Sequence, residues 1–357
     1  MLHEGDQDVL LRVLVQPATL VELNERQWDQ LLPRARAARL LGRLAAEADM
    51  RGLMDSLPPK GRDHLSAAAA LAAHHELRIR WELNRIRRAL GKLAVPILLL
   101  KGAAYVAASL PPAKGRIVGD LDLMVPRASL EEVEAALEAS GWRTTQPDPY
   151  LQRYYRTWMH ELPPLLHQQR GTVIDLHHAI LPPGAHPAPD PDQLWAASRP
   201  LGDGPFFVLA PTDMVLHSAV HLFNGDLHHA VRNLLDVADL LKRFGSERDF
   251  WSSLVRRAAA LDLGRPLYYA LRYCRSLLGV SIPDTVTKEV ATHGPAPAVL
   301  SIMDRMLLGA LAPTAAGAIG PRGAWLYYLR SQWLSMPLWL WTARSTGLLR
   351  AWWRLRR

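Results

Sequence analysis

Apolar positions along the chain fall into three successive regimes. Residues 34–47 and 64–92 are rich in Ala, Leu and Arg, and Leu77, Ile79, Trp81, Leu83, Ile86 and Leu90 recur at roughly helical spacing. This predicts helices, the later one stopped by Gly91. The stretch VPILLLKG then runs apolar without a break for the length of a strand, with Pro96 near its start, where a strand tolerates proline. Residues 103–110 (AAYVAASL) fit two turns of helix, PPAKG is a loop, and residues 117–125 read as a second buried strand ended by Pro126. SLEEVEAALEASGW predicts a helix with a capping box of Ser129 and Glu132, one apolar face of Val133, Ala136 and Leu137, and Gly141 as its stop. YYRTWMHEL, LLHQQ and TVIDLHHAI read as short strands, the last two separated by a turn at Arg170 and Gly171. From Pro211 the pattern is helical to the end, with breaks near Gly225, Gly245, Gly264, Pro283 and residues 309–323, and no repeat is visible. The prediction is an α+β fold: an N-terminal helical region (1–93), an α/β core (94–182), a helical domain (183–308) and a C-terminal tail (309–357).

Within the core, GRIVGDLDLMV places Asp120 and Asp122 on one face of an otherwise apolar strand, about 6–7 Å apart. Two carboxylates so placed repel unless a cation lies between them. Mg²⁺ takes hard oxygen ligands and keeps positions for water and phosphate, and two such ions can clamp the attacking and leaving oxygens of a phosphoryl displacement. TVIDLHH offers a third carboxylate, because Val173, Asp175 and His177 share one face and Ile174 and Leu176 the other. At the strand-to-helix junction LLLKGAA, Gly102 permits close approach of an anion, the helix start offers free N–H groups, and Lys101 adds charge. Each feature has a plainer reading: an exposed strand often carries such a pair, and a tight turn alone requires glycine.

Composition narrows the classes. Cys274 is the only cysteine, which excludes an internal disulfide and a cysteine-based zinc knuckle. The opening MLHEGDQDVLLRVL lacks the basic start and apolar centre of a signal peptide, so a cytoplasmic protein is expected. The net charge of +8 belongs to the tail: beyond Asp304 there are eight arginines and no acidic residue, leaving residues 1–304 formally neutral. The tail also holds six of the 12 tryptophans, and its apolar stretch WLSMPLWLW is too short to span a bilayer, which takes roughly 20 residues. Its readings are helices packed on the body with solvated arginines, or docking of residues 321–357 on a partner or peripherally at an anionic membrane surface. Basic and aromatic residues do not interleave through the body, so there is no strong nucleic-acid signal.

Taken together, a strand ending in Lys-Gly, a short helix, an Arg ahead of Asp-x-Asp and a later Asp-Leu-His strand resemble the uncharacterised nucleotidyltransferase family of the polymerase β-like nucleotidyltransferase superfamily. The stretches are LLLKGAAYVAASL, RIVGDLDLMV, VIDLHHAI and, less specifically, LAPTDMVLHSAVHLF with LLDVADLL, over roughly residues 85–245. The resemblance implies a nucleotidyltransferase-type mixed sheet flanked by helical domains. It implies a Mg²⁺-dependent enzyme, with up to two ions, moving NMP from an NTP such as ATP to a small-molecule, peptide or protein acceptor and releasing pyrophosphate. Asp120, Asp122 and Asp175 become the metal ligands, Asp175 also a base, Lys101, Gly102, Ala103 and Arg116 the nucleotide contacts, and His177, His217 and His221 the acceptor side. One departure is Gly102-Ala103, where the superfamily usually has Gly-Ser; another is the 18-residue separation of Gly102 from Asp120. The alternative is a catalytically weak nucleotide-binding or scaffold protein docking through its tail. By spacing alone, His217 and His221 also suit helix packing or a zinc site, though no Glu follows His217 as in a metalloprotease. His228 and His229 are expected at the surface, and Asp236 and Asp239 paired with Arg232 or Arg243.

Overall fold

The computed structural model describes residues 9–224, 229–311 and Arg330. Helices α1 (Val9–Val15), α2 (Glu25–Ala37), α3 (Leu41–Met50) and α4 (Pro59–Ala89) precede the sheet. A capping box does occur here, but at α2: Gln27 N–H donates to Asn24 Oδ1 (2.9 Å) and Asn24 N–H to Gln27 Oε1 (3.0 Å). The start of α4 is set by proline, whose missing N–H is no loss in a first turn.

Next come β1 (Ile97–Leu99), α5 (Lys101–Ala107), β2 (Asp120–Met124), α6 (Leu130–Ala139), β3 (Trp142–Thr144), α7 (Pro149–Trp158), β4 (Leu165–His167) and β5 (Val173–His177). The chain continues through α8 (Pro191–Ala197), β6 (Arg199–Pro200) and β7 (Phe206–Val208), then α9 (Pro211–Asn224), α10 (Ala230–Phe244), α11 (Phe250–Ala260), α12 (Gly264–Leu278), α13 (Asp284–Ala291) and α14 (Pro297–Leu311). Among the described residues the sheet has seven strands in the order β3-β4-β5-β2-β1-β7-β6, mixed because β2 pairs parallel with β5 and β1 with β7 while the other pairs are antiparallel. The α+β expectation therefore holds. The central strands are apolar because both faces are covered: Ile97, Leu98, Leu99, Leu123, Ile174 and Leu176 are fully buried in a core cluster that runs from Leu10 in α1 to Leu307 in α14.

Several local expectations change. Strand β2 begins at Asp120, so residues 116–119 form an entry loop. Residues 154–158 are helical, because Asp148 caps α7 through Tyr150 N and Leu151 N and Pro149 opens its first turn. Helix α5 starts at Lys101. Ser129 does not cap α6; it lies in the 3-10 turn Arg127–Ser129 with helical backbone, and its side chain makes no cap bond. Gly141 follows α6 with φ +100°, the left-handed stop glycine permits. The sheet also takes β6 and β7 from a stretch expected to be helical.

Two contacts set the helices around the sheet's end. Gly42 of α3 lies against Gly115: a Cβ on Gly42 would meet Gly115 O at 2.3 Å. Arg43 beside it pairs with Asp239 of α10, Nη2 to Oδ1 at 3.0 Å. Asp236 is hydrogen-bonded to Arg116 and Asp239 to Arg43; of the partners expected from helical spacing, Arg232 acts on Asp236 through its charge without a hydrogen bond. Of the tail, whose Arg/Trp-rich readings otherwise lie outside the described residues, Arg330 donates to the Phe223 carbonyl and lies 5.9 Å from the Tyr269 ring. Among the described residues, no helix is long and apolar enough to cross a membrane.

Candidate active site

The end of β1 is tied to β2 by Leu100 N–H donating to Asp122 O (3.0 Å), which brings Lys101 over the aspartate strand. Lys101 itself holds a left-handed backbone, φ +43°, a conformation that costs an L-residue about 1–2 kcal/mol. The expected glycine freedom is thus used one residue earlier than Gly102. Gly102 matters for close approach instead: a Cβ there would come within 3.1 Å of Val118 and 3.3 Å of Arg116 Nε. Lys101 Nζ donates to Asp122 Oδ1 at 2.7 Å, and His177 Nε2 lies 3.1 Å from the same oxygen. Burial raises the Asp122 pKa, but the charge of Lys101 and the contact with His177 outweigh it and hold the carboxyl below its ordinary range.

Parallel pairing of β2 with β5 sets Asp122 opposite Asp175 and Met124 opposite His177. Asp120 is exposed, whereas Asp175 is partly buried with Oδ1 lacking a hydrogen-bond partner. Burial, then Asp122 and Glu161, push the Asp175 pKa up to about 7. His177 is buried between Asp122 and Glu161, its Nδ1 3.4 Å from Glu161 Oε2, so it steadies Asp122. His217 is also buried, and desolvation followed by Lys101 takes its pKa down to about 3. His221 opens into the cleft. The two helix histidines gather no third ligand: the group of three or more ligand residues found within 4.8 Å among the described residues is His160, Glu161 and His177. Asp120, Asp122 and Asp175 are not drawn together so closely; Lys101 already neutralises the central member.

A cleft opens above Lys101 and Asp122. Its lining includes Arg39, Gly102, Arg116, Asp120, His221 and Arg232. Arg116 is buried, its Nη1 2.5 Å from both Asp236 oxygens and its guanidinium 5.3 Å from the Tyr105 ring. Its Nε, and the Nε of Arg232, are buried donors without acceptors. Burial and then Arg116 lower the Arg232 pKa to about 10. Ala103 is buried and is not part of this lining. Sequence reasoning missed Arg39 and Arg232 as cleft cations and missed His160 and Glu161. Arg39 arrives from the turn between α2 and α3 and Arg232 from α10, both outside the α/β core, and His160 and Glu161 follow α7, where the sequence pattern predicts a strand.

The arrangement offers convergent cations for an anion, with the carboxylates of Asp120 and Asp122 beside them in an open cleft; Asp175 is not part of its lining. A family model described as uncharacterised nucleotidyltransferase matches residues 24–279. No curated protein and no solved structure matches the chain.

Proposed function

The chain belongs to the uncharacterised nucleotidyltransferase family, and on that premise we propose that it transfers a nucleoside monophosphate from an NTP to a hydroxyl of a small-molecule, peptide or protein acceptor, releasing pyrophosphate. The observation that carries this reading is the pair of buried guanidinium Nε donors, on Arg116 and Arg232, left without acceptors in a cleft that also holds Lys101 and Arg39. Buried donors are ordinarily satisfied, so a multiply charged anion is the natural complement. The triphosphate would lie across these side chains, with Gly102 keeping the floor low.

The aspartates suit Mg²⁺ in donor type, all being oxygen, and the unpartnered Asp175 Oδ1 is a buried charge that a cation would relieve. Asp120, Asp122 and Asp175 would hold the ion, which when bound would neutralise charge developing on the phosphates. In the transfer, the acceptor oxygen forms a bond to the α-phosphorus while the bond to the bridging oxygen of pyrophosphate breaks. Asp175 takes the acceptor proton. Lys101, Arg39 and Arg232 balance the charge of the departing pyrophosphate.

Arg232→Met tests the phosphate role without stripping Asp236 of Arg116. The expected result is NTP binding weakened about tenfold or more, since one charge-assisted contact contributes about 1.5–3 kcal/mol. Unchanged affinity would remove Arg232 from the site. A nucleotide-binding scaffold is the second reading, favoured by Lys101 occupying Asp122; it predicts NTP binding that does not respond to Mg²⁺.

A further inference from the structure

We propose that His160, Glu161 and His177 form a binding site for a transition-metal dication, zinc above all, separate from the aspartates on β2. The three side chains each bring a ligand atom to within 4.8 Å of the others. Glu161 Oε2 is central, 3.4 Å from His177 Nδ1 and 3.9 Å from His160 Nε2.

The ligands stand on fixed backbone. Glu161 forms an antiparallel bridge with His177, Leu162 N–H donates to Leu176 O at 2.8 Å, and His178 N–H donates to His160 O at 2.8 Å. The segment after α7 is therefore stitched to the end of β5, and all three ligands come from one pair of extended segments.

An independent observation points into the cluster. His177 is 2 % exposed, and its Nδ1 has no hydrogen-bond partner, although its Nε2 is engaged by Asp122. A buried imidazole with one nitrogen held by a carboxylate and the other turned toward a second carboxylate and a second imidazole has the arrangement of a metal ligand with its orienting partner. The rings of His160 and His177 lie 5.3 Å apart, and His160 Nδ1 is likewise buried without a partner.

Two imidazoles and one carboxylate are borderline donors. They favour zinc and its transition-metal neighbours over Mg²⁺, which prefers oxygen, and three protein ligands leave a coordination position open. The consequence is a link between sites: an ion on His177 Nδ1 fixes the proton on Nε2, and with it the hydrogen bond that orients Asp122. This inference does not depend on nucleotidyl transfer, because the site is defined by metal binding alone.

The test is titration of the chelator-treated full chain with zinc chloride, without nucleotide, followed by calorimetry. One ion per chain is expected, with affinity reduced at least about tenfold in His160→Ala and in Glu161→Gln and unchanged in Asp120→Asn. Cobalt(II) should give visible d–d bands in wild type that both ligand variants lose. The two variants remove different ligands, so either one that retains the wild-type circular dichroism spectrum decides the matter. The proposal is overturned if wild type binds no zinc, if the folded ligand variants bind it as wild type does, or if Asp120→Asn abolishes binding while Glu161→Gln does not.

Discussion

Asp175 is the residue at which stability and chemistry pull apart. Its carboxyl has an unfolded pKa near 3.8 and a folded pKa raised to about 7, first by burial and then by Asp122 and Glu161. With the folded value above the unfolded one, the native state binds the proton more tightly. The contribution is fully present below about pH 4, declines as pH rises toward 7, and amounts to about 4 kcal/mol of lost stability above it. Asp175→Asn should therefore raise the Tm of the metal-free chain at pH 8, with the gain fading by pH 4, and should lower transfer at least about 100-fold through loss of the base. Thermal melts at the two pH values check the first part; no gain at pH 8 would mean that Asp175 is not a strained charge. At this scale the sequence was informative wherever a residue's neighbours lie on its own strand. The shared face of Asp120 and Asp122, and that of Asp175 and His177, follow from a period of two; the register that sets Asp122 opposite Asp175 does not. His160, Glu161, Arg39 and Arg232 do not, since each reaches the site through tertiary packing that has no sequence period.

Between elements, the structure depends on buried Arg-Asp pairs that cross long stretches of chain. Arg116 of the loop before β2 holds Asp236 of α10, and Arg43 of α3 holds Asp239 one turn further on. Arg116→Met would leave buried Asp236 without its hydrogen-bonded partner and with only the charge of Arg232 nearby, at a cost of up to about 3–5 kcal/mol, whereas Arg116→Met with Asp236→Leu should recover most of that loss. Urea unfolding of the single and double variants distinguishes these outcomes, and a double variant as unstable as the single would deny the pairing. The same junction depends on Gly42 and Gly115. Gly42→Ala forces a Cβ to 2.3 Å from Gly115 O, so it should lower stability by about 1–3 kcal/mol and displace the loop that carries Arg116. An unchanged Tm would show that α3 does not press on this loop. These pairings explain why helical spacing did not give the hydrogen-bonded partners of Asp236 and Asp239: i, i+4 neighbours were available on α10, but the buried acids hydrogen-bond arginines on other elements. Short strands escaped for a simpler reason, since two or three residues in β6 and β7 display no alternation.

For the whole molecule, one apolar cluster joins the N-terminal helices, the sheet and the C-terminal helices, and the cleft lies where they meet. Its cations come from α5, from the turn between α2 and α3, from the loop before β2 and from α10, so a ligand there couples elements distant in sequence. An NTP at about 100 times its Kd should accordingly stabilise the folded chain by about 2.7 kcal/mol, seen as a raised Tm. In the proposed function the two β2 aspartates and the cleft cations form one metal-assisted triphosphate site. The most direct measurement is calorimetric titration of the full chain with each common NTP, with and without Mg²⁺, alongside the Asp120→Ala/Asp122→Ala variant. At least one NTP should bind wild type in a Mg²⁺-dependent manner, and the variant should lose that dependence. Failure of every NTP to bind wild type, or equal binding to both proteins whether or not Mg²⁺ is present, would contradict it.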